Sequence, residues 1–442
     1  MNRLAGSTER NLVRGIGVFG SALLVLNGLV GAGIFALPPI IAARAGTFGP
    51  WLFLAAGLLF IPVVLAFAEL SSYFRKSGGP VLYATVAFGP LVGFSTGWIY
   101  YISRAGALAG NSHIMATYLA ALFPWFETDI GRGVVIVSVL GGLTAVNVIG
   151  VKDSIRTLTL FTLLKVVPLA ALILLGLAHL SPETAFSAAL PTIDDLGGTV
   201  LLLMYPFIGF ESALVAAGET KRPRATIPKT LILTVIATGV FYALIMLVYN
   251  AVLPGATDPG TTLVDVGREL AGPTGAVIIT LAAAFSIGGN LSGTMLAGPR
   301  LTFALAEQRL LPGWFGRLSP RHSSPANSVL FLGGLATILA LSGSFVILAI
   351  ATSLTRLIAY AVCIAALPVV RRKATPEAKK GAFRLVGGLV GEFAIPALAL
   401  VMCLWVIAQS PLESWLITGG LLIFGLIPYL LTQRQIESTG IT

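Results

Sequence analysis

Residues Asn27–Pro39 read NGLVGAGIFALPP, a glycine-rich interruption inside a long apolar segment. Each of its three glycines (Gly28, Gly31 and Gly33) weakens a helix by up to ~1 kcal/mol relative to alanine, and two prolines follow closely. We therefore expect a helix to break here. In a bilayer, unpaired backbone groups are tolerated only where they line a cavity or bind a ligand, which predicts a small-molecule site. The alternative is that the glycines only allow another helix to pack closely.

The composition is that of a polytopic membrane protein, with 56% hydrophobic and 10% charged residues and a mean hydropathy of +0.92. The net charge of +10 would suit a nucleic-acid partner in a soluble chain, but here the basic residues flank the apolar segments, so we predict a lipid bilayer and no nucleic acid. The two cysteines lie in apolar segments and the three histidines lack metal-ligand spacing. We predict no metal and no cofactor.

Apolar segments of about 20 residues span a bilayer, and on this basis we predict an all-α integral membrane protein with twelve transmembrane helices. The predicted spans are residues 15–43, 51–74, 84–122, 134–150, 157–179, 199–218, 227–252, 274–305, 328–341, 345–370, 386–409 and 415–432. The third is expected to begin as a surface helix. Residues 1–442 would form one transmembrane domain, with residues 1–14 and 433–442 as short tails.

The basic residues are distributed unevenly over this map. One side holds nearly all lysines and arginines outside the spans, whereas the other holds only Arg44, Arg132 and Arg268. The positive-inside rule places the crowded side in the cytoplasm. We therefore expect a multi-pass protein of the cytoplasmic (plasma) membrane with both termini inside, which requires an even number of spans.

A second glycine-containing interruption, Tyr205–Glu211, lies in the sixth span, five spans after the first. A repeat unit with an odd number of spans places its second copy upside down, as in many secondary transporters. The repeats would be residues 15–179 and 199–370, followed by two added helices at residues 386–432. Two broken helices that meet from opposite directions offer helix N-termini to a carboxylate and free carbonyls to an ammonium. This arrangement suits a zwitterionic amino acid.

Several spaced motifs occur in a fixed order: Gly31–Phe35, Ala68–Ser72 with Lys76–Pro80, Phe207–Glu211, Gly218–Thr220 with Pro223 and Ile227-Pro228, and Gly298–Ala306 with Leu311-Pro312. In this order they resemble the amino acid-polyamine-organocation (APC) transporters over nearly the whole chain. The resemblance implies a LeuT-type 5+5 inverted repeat with helices 1 and 6 broken at mid-membrane, and transport of amino acids or related amines. The substrate-binding residues it implies are Gly31, Ala32, Gly33, Ile34, Tyr205, Phe207, Ile208, Gly209 and Thr294.

Two departures from the family pattern narrow the substrate. Arginine-agmatine antiporters of the family carry aromatic gates in helices 6 and 8, and here the corresponding positions are Tyr205 and Thr294. Threonine cannot stack on a cation, which weakens a guanidinium substrate. Ala32 replaces a hydroxyl residue that is common in the family, so carboxylate binding would depend on backbone amides.

Four ionisable residues are predicted at membrane depth, where a charge costs several kcal/mol, and each is a candidate for coupling or gating: Arg104, Lys165, Glu211 and Arg356. The resemblance implies that the ammonium of Lys165 occupies the place of a sodium ion and ties helix 5 to the unwound part of helix 1; the alternative is a structural pair with Glu211. Glu211 could cap the second half of helix 6, bind a substrate ammonium or carry a proton, and a gating or proton-linked role is favoured. Arg104 or Arg356 could hold Glu211.

The sequence therefore predicts a secondary active transporter that works by alternating access, with sodium-independent proton symport or exchange of small neutral amino acids. Acidic substrates are the variant that unpaired Arg104 and Arg356 would favour, and an amine or polyamine carrier or a non-transporting amino acid sensor are further alternatives. An enzyme is not expected, because the sequence has no nucleophile-base pair, metal cluster or phosphate loop. The particular amino acid and the oligomeric state do not follow from the sequence.

Overall fold

The computed structural model describes residues 17–74, 79–150, 155–181, 195–215, 220–256, 258, 260–322, 324–380, 382–383, 385, 388 and 390–439, which are mostly helical. The helices are α1 (Val18–Leu29), α2 (Gly33–Ala45), α3 (Gly49–Tyr73), α4 (Gly79–Phe88), α5 (Pro90–Ala120), α6 (Asp129–Ile149), α7 (Ile155–Gly176), α8 (Leu196–Met204), α9 (Ser212–Val215), α10 (Pro223–Val252), α11 (Leu263–Glu307), α12 (Ala326–Ser342), α13 (Phe345–Lys373), α14 (Pro376–Lys380), α15 (Ile395–Ala408) and α16 (Leu412–Thr439).

Within this described part, eight helical stretches are long and apolar enough to cross a bilayer. They are Gly33–Tyr73, which joins α2 and α3, and Asp129–Ile149, Thr159–His179, Ala225–Val252, Leu263–Glu307, Phe345–Lys373, Gly391–Ala408 and Leu412–Arg434. Four shorter apolar helices are α1, α4, α12 and the stretch Leu196–Phe207. The prediction of an all-helical membrane protein is confirmed, whereas the count of twelve crossings stays a prediction.

Helix α5 lies at the centre of the packing. Its 31 residues contact α4, α6, α11, α12 and α13, and most of its side chains are buried. Despite its length, α5 is not one of these eight stretches. It can carry polar and charged side chains such as Arg104 and Asn111 because neighbouring helices, rather than lipid, surround it.

The third predicted span, residues 84–122, is divided near its start, because residues 84–88 belong to a separate helix, α4. Helix α4 ends at Phe88, and Gly89 has a φ of +94°, a conformation that glycine adopts without strain. Pro90 then begins α5, where its missing N–H leaves no internal hydrogen bond unmade. In the eleventh predicted span, α15 begins at Ile395 after a π-helical turn at Val390–Ala394, and residues 386, 387 and 389 lie outside the described residues.

The first interruption covers Val30–Ala32, between α1 and α2, and so overlaps the predicted glycine break. Pro38 and Pro39 take no part in it, because both lie inside α2. Pro39 has no N–H to donate to the carbonyl of Phe35, four residues earlier. The Tyr118 hydroxyl donates to that carbonyl instead, at 2.9 Å, so the helix continues through both prolines.

The second interruption lies between α8 and α9. A 3₁₀ turn covers Tyr205–Phe207, Ile208 is extended, and Gly209 has a φ of +114°. Helix α9 begins directly after Glu211, and residues 216–219 lie outside the described residues, including most of the Gly218–Thr220 motif. The backbone therefore leaves the helical path in both predicted places.

Candidate functional site

The two interruptions meet at a pair of glycines. A Cβ built on Gly28 would collide with the carbonyl oxygen of Gly209, and a Cβ built on Gly209 would collide with that of Gly28. A Cβ on Gly33 would lie 3.1 Å from Cβ of Pro206. Because glycine has no side chain, the two backbones pack directly against each other. Both interpretations of the glycines therefore apply: the helix is broken, and another segment packs closely against it.

Lys165 contacts the first interruption. Its Nζ donates to the carbonyl of Val30 at 2.6 Å and to Oδ1 of Asn27 at 2.9 Å, and the side chain is fully buried. The alternative that Lys165 pairs with Glu211 is wrong, because the Glu211 carboxylate pairs with Arg356. The ammonium is bound by two uncharged oxygen atoms, which are also the kind of ligand that binds a metal cation.

Other side chains bind the remaining carbonyls of this segment. Tyr242 donates to the carbonyl of Leu29 at 2.7 Å, and Ser286 donates to that of Val30 at 3.2 Å. Asn290 Nδ2 lies 3.1 Å from the carbonyl of Asn27 and 3.3 Å from that of Gly28. Side chains of α7, α10 and α11 therefore replace the hydrogen bonds that the broken helix loses.

The amide groups on the other side of the break remain open. Within the described part of the chain, the N–H groups of Ala32 and Ile34 have no hydrogen-bond acceptor, although both residues are almost completely buried. They lie at the start of α2, where the helix dipole places partial positive charge. A carboxylate suits such a position because it accepts N–H donors and is stabilised by the dipole.

A chain of amide side chains connects the two interruptions. The Tyr205 hydroxyl donates to Oδ1 of Asn111 at 2.7 Å, and Nδ2 of Asn111 lies 2.8 Å from Oδ1 of Asn290. Asn290 in turn binds the first interruption. Sequence reasoning missed Asn111 and Asn290. An asparagine has no charge to mark it as costly, and only the helix packing brings the two together.

The remaining predicted substrate contacts differ in their surroundings. Phe207 is fully buried, with its ring 5.8 Å from that of Phe60 and 5.9 Å from that of Tyr242. Thr294 is half-buried, one helical turn after Asn290. Their contact with a substrate stays a prediction, as it does for Ile208.

Glu211 forms a fully hydrogen-bonded ion pair. Its Oε1 lies 2.5 Å from Nη1 of Arg356 and accepts from the Tyr100 hydroxyl at 2.7 Å. Its Oε2 accepts from the Tyr360 hydroxyl at 2.7 Å and from the amide of Gly209 at 3.1 Å. A carboxylate has about four lone-pair sites, so this one has no place left for a substrate ammonium. Arg356 is therefore not available to an acidic substrate, which that variant of the prediction requires.

Arg104 is the guanidinium that does not reach Glu211. Its Nη2 donates to the Tyr100 hydroxyl at 3.3 Å, and its Cζ lies 5.0 Å from the centre of the Tyr100 ring. Arg356 lies over the same ring at 4.0 Å. Of the two candidate partners for Glu211, the structure selects Arg356. Lys165 therefore contacts the first interruption, and Arg356 contacts Glu211 at the end of the second.

Comparisons with known proteins agree with this architecture. The sequence matches the family described as "Amino acid permease" over residues 16–426. It is 27% identical to a methylthioribose transporter of Bacillus subtilis over 98% of this chain and 96% of that protein. It is 30% identical to the serine/threonine exchanger SteT of the same organism, over 72% of this chain and 74% of that protein. An arginine/ornithine antiporter of Lactococcus lactis, ArcD2, is 28% identical over 73% of this chain and 71% of that protein.

Proposed function

This chain belongs to the amino acid permease family, and from that premise we propose that it is a secondary transporter of small neutral amino acids that works by alternating access. Members of the family are transporters rather than enzymes, and the chain is a membrane protein of this class. The substrate class and the coupling mode are the proposal.

The main support is the pair of buried amides, Ala32 and Ile34, beside the contact between the two interruptions. They offer a carboxylate two donors and the positive end of α2. The carbonyls of the second interruption, between Tyr205 and Gly209, are the groups that we assign to the substrate ammonium. Together they would bind an amino acid through the atoms that all amino acids share.

For the architecture, we propose twelve membrane crossings with both termini in the cytoplasm, and inverted repeats at residues 15–179 and 199–370. The support is the spacing of the two interruptions and the placement of one buried cation, Lys165 or Arg356, against each. This pairing is what an inverted repeat would produce if each fifth helix faced a broken helix.

The relatives are named for different substrates, so we compare the substrate classes with the side chains of this site. A polycation would need clustered carboxylates, and the Glu211 carboxylate is fully occupied. Thr294 offers no aromatic face to a guanidinium. An acidic substrate loses the support of Arg356, which is already paired, while Arg104 lies seven residues before Asn111, about 10 Å along α5 and so away from the proposed substrate groups. Small neutral amino acids remain the best match.

The test of this function is uptake by the purified protein in proteoliposomes. Radiolabelled alanine and serine are expected to accumulate, and unlabelled amino acid inside the vesicles should accelerate their entry if the mode is exchange. Binding of alanine to the purified protein without any flux would instead identify a sensor.

The substrate preference can be measured by competition. In the uptake assay, excess unlabelled alanine or serine should inhibit strongly, glutamate weakly and arginine least, because helix α11 carries Thr294 where a cation-stacking gate would need an aromatic residue. Inhibition by arginine as strong as that by alanine would contradict the proposed class.

Gly33→Leu should abolish substrate binding. In the structure a Cβ at Gly33 meets Pro206 at 3.1 Å, so the larger side chain would push α2 from the second interruption and displace the amides of Ala32 and Ile34. Binding is measured as the thermal stabilisation of purified protein by alanine, which is worth ~2.7 kcal/mol at 100 times the dissociation constant. Gly133→Leu is the matched control, because no atom lies within 4 Å of a Cβ there. Wild-type affinity in Gly33→Leu would move the site elsewhere.

A further inference from the structure

Arg104 is a buried guanidinium whose hydrogen-bonding capacity is largely unused. Arg104 is only 9% exposed. Within the described part of the chain, its guanidinium makes one hydrogen bond, to the Tyr100 hydroxyl at 3.3 Å. A guanidinium has five N–H donors and stays charged at any physiological pH. A buried charge without a counter-charge is strongly unfavourable, so this position calls for an anion.

The neighbouring carboxylate cannot supply that charge. Glu211 already accepts from Arg356, Tyr100, Tyr360 and the Gly209 amide. The Tyr100 hydroxyl donates its single proton to Glu211, so towards Arg104 it can only accept. The cluster of Arg104, Arg356 and Glu211 thus carries one positive charge in excess.

The position of Arg104 separates it from the amides of α2. Arg104 precedes Asn111 by seven residues, which places it about 10 Å along the same face of α5. On α11, its Cδ lies 3.8 Å from the position of a Cβ on Gly298, which follows Asn290 by eight residues. Helix α2 contacts α5 at the opposite end, through Tyr118. Arg104 therefore lies about two helical turns from the Asn111–Asn290 contact, between α5 and α11.

We propose that Arg104 is a second anion site, which takes a single small carboxylate between α5 and α11. A Cβ on Gly298 would lie 2.5 Å from Cδ2 of Leu332 and 3.8 Å from Cδ of Arg104, so the aliphatic part of the Arg104 side chain lies against α11. The carboxylate comes either from an amino acid on its way past the interruptions or from a small free anion in solution. The guanidinium is suited to either, because its planar fork matches the two oxygens of a carboxylate.

The experiment is a thermal unfolding titration of the purified full-length protein at constant ionic strength. Sodium acetate, sodium chloride and alanine are added separately to a buffer whose own anion is the bulky HEPES sulfonate. Acetate is expected to raise the unfolding midpoint of the wild type in a saturable way. Arg104→Gln should lose this rise, Arg104→Lys should keep a smaller one, and the exposed Arg268→Gln should keep all of it.

A second readout does not depend on any added ligand. In the HEPES buffer, Arg104→Gln should unfold at a temperature equal to or above that of the wild type, since it removes a buried charge without a partner. A purely structural role would lower the midpoint of this variant. That result, or the same acetate response in Arg104→Gln and wild type, would overturn the proposal.

The anions that raise the unfolding midpoint show whether the carboxylate at Arg104 comes from the substrate or from a free anion. A response to chloride but not to acetate would contradict the carboxylate class. If alanine gives a second increment that Gly33→Leu retains and Arg104→Gln loses, the substrate supplies the carboxylate; a response to acetate alone assigns a free anion. Because the titration measures no flux, a failed transport assay would leave this site intact, and loss of the acetate response would leave the proposed transport intact.

Discussion

Lys165→Ala is expected to lower amino acid uptake in proteoliposomes by roughly 30- to 100-fold, which corresponds to about 2–3 kcal/mol, the cost of leaving buried oxygens without a charged donor. The ammonium binds Val30 and Asn27 at the first interruption, and no other lysine or arginine in the described residues makes a hydrogen bond to them. Without it, α7 loses these two hydrogen bonds to the broken helix. We expect the interruption to change shape and the substrate amides with it.

The same contact predicts that uptake by the wild type needs no sodium. The Lys165 ammonium supplies a positive charge to neutral oxygens at the break, so a sodium ion would compete with it for the same partners. Uptake is measured with sodium replaced by choline. Lys229→Ala serves as the control, because Lys229 is exposed and its loss should leave uptake unchanged. Sodium-dependent uptake, or normal uptake by Lys165→Ala, would contradict this role.

Uptake by the same proteoliposomes under an imposed pH gradient tests for proton coupling. If the ammonium releases its proton during each cycle, an imposed pH gradient should drive accumulation, and the transporter is a proton symporter. If the ammonium stays charged, it acts as a fixed cation, and uptake requires internal substrate for exchange. Both versions depend on Lys165.

Glu211→Gln is expected to destabilise the protein by about 3–5 kcal/mol, because it leaves the Arg356 guanidinium buried without its counter-charge. The substitution keeps the shape of the side chain, so lost packing contributes little. The side chains of Glu211 and Arg356 are 1% and 4% exposed, so the pair is out of contact with bulk water. The measurement is the free energy of unfolding in mixed micelles.

The surface ion pair between Arg44 and Asp195 provides the control for this prediction. Asp195→Asn breaks a pair whose carboxylate is 61% exposed, and an amide still caps α8, so we expect a change below about 1 kcal/mol. The double variant Glu211→Gln, Arg356→Gln should recover part of the loss, since neither charge is then left alone. Equal effects of Glu211→Gln and Asp195→Asn would show that the buried pair does not hold the second interruption.

The features that the sequence predicts correctly have a direct energetic cause. Glycines weaken a helix wherever they occur, so the interruption after Leu29 could be located within a residue or two. A lysine at membrane depth has few acceptable partners, and backbone carbonyls of a broken helix are among them. In both cases a residue type that is energetically unfavourable in a membrane helix can be accommodated by only a few local structures.

The features that escaped prediction depend on packing geometry. The sequence predicts Arg104 and Arg356 equally well as partners of Glu211. Only the packing of α5 against α13 determines that Arg356 reaches it. No charge marks the four uncharged side chains that bind the interruptions or their neighbours, which are Asn111, Asn290, Tyr118 and Tyr242. Their partners are backbone or side-chain atoms far away in the chain, which periodicity and composition do not report.

The burial of α5 has a consequence for how the protein is made. A helix that carries buried polar and charged side chains depends on its neighbours for stable insertion, and two of the neighbours of α5, α11 and α13, lie more than 140 residues further along the chain. At about 5–20 residues per second, the ribosome takes on the order of ten seconds or more to reach them. Of the neighbours named above, only α4 and α6 are already made during that interval. Truncated chains that end after α6 should therefore be degraded faster than chains that end after α13, with the proteolytic machinery of the membrane acting on the unaccompanied helix.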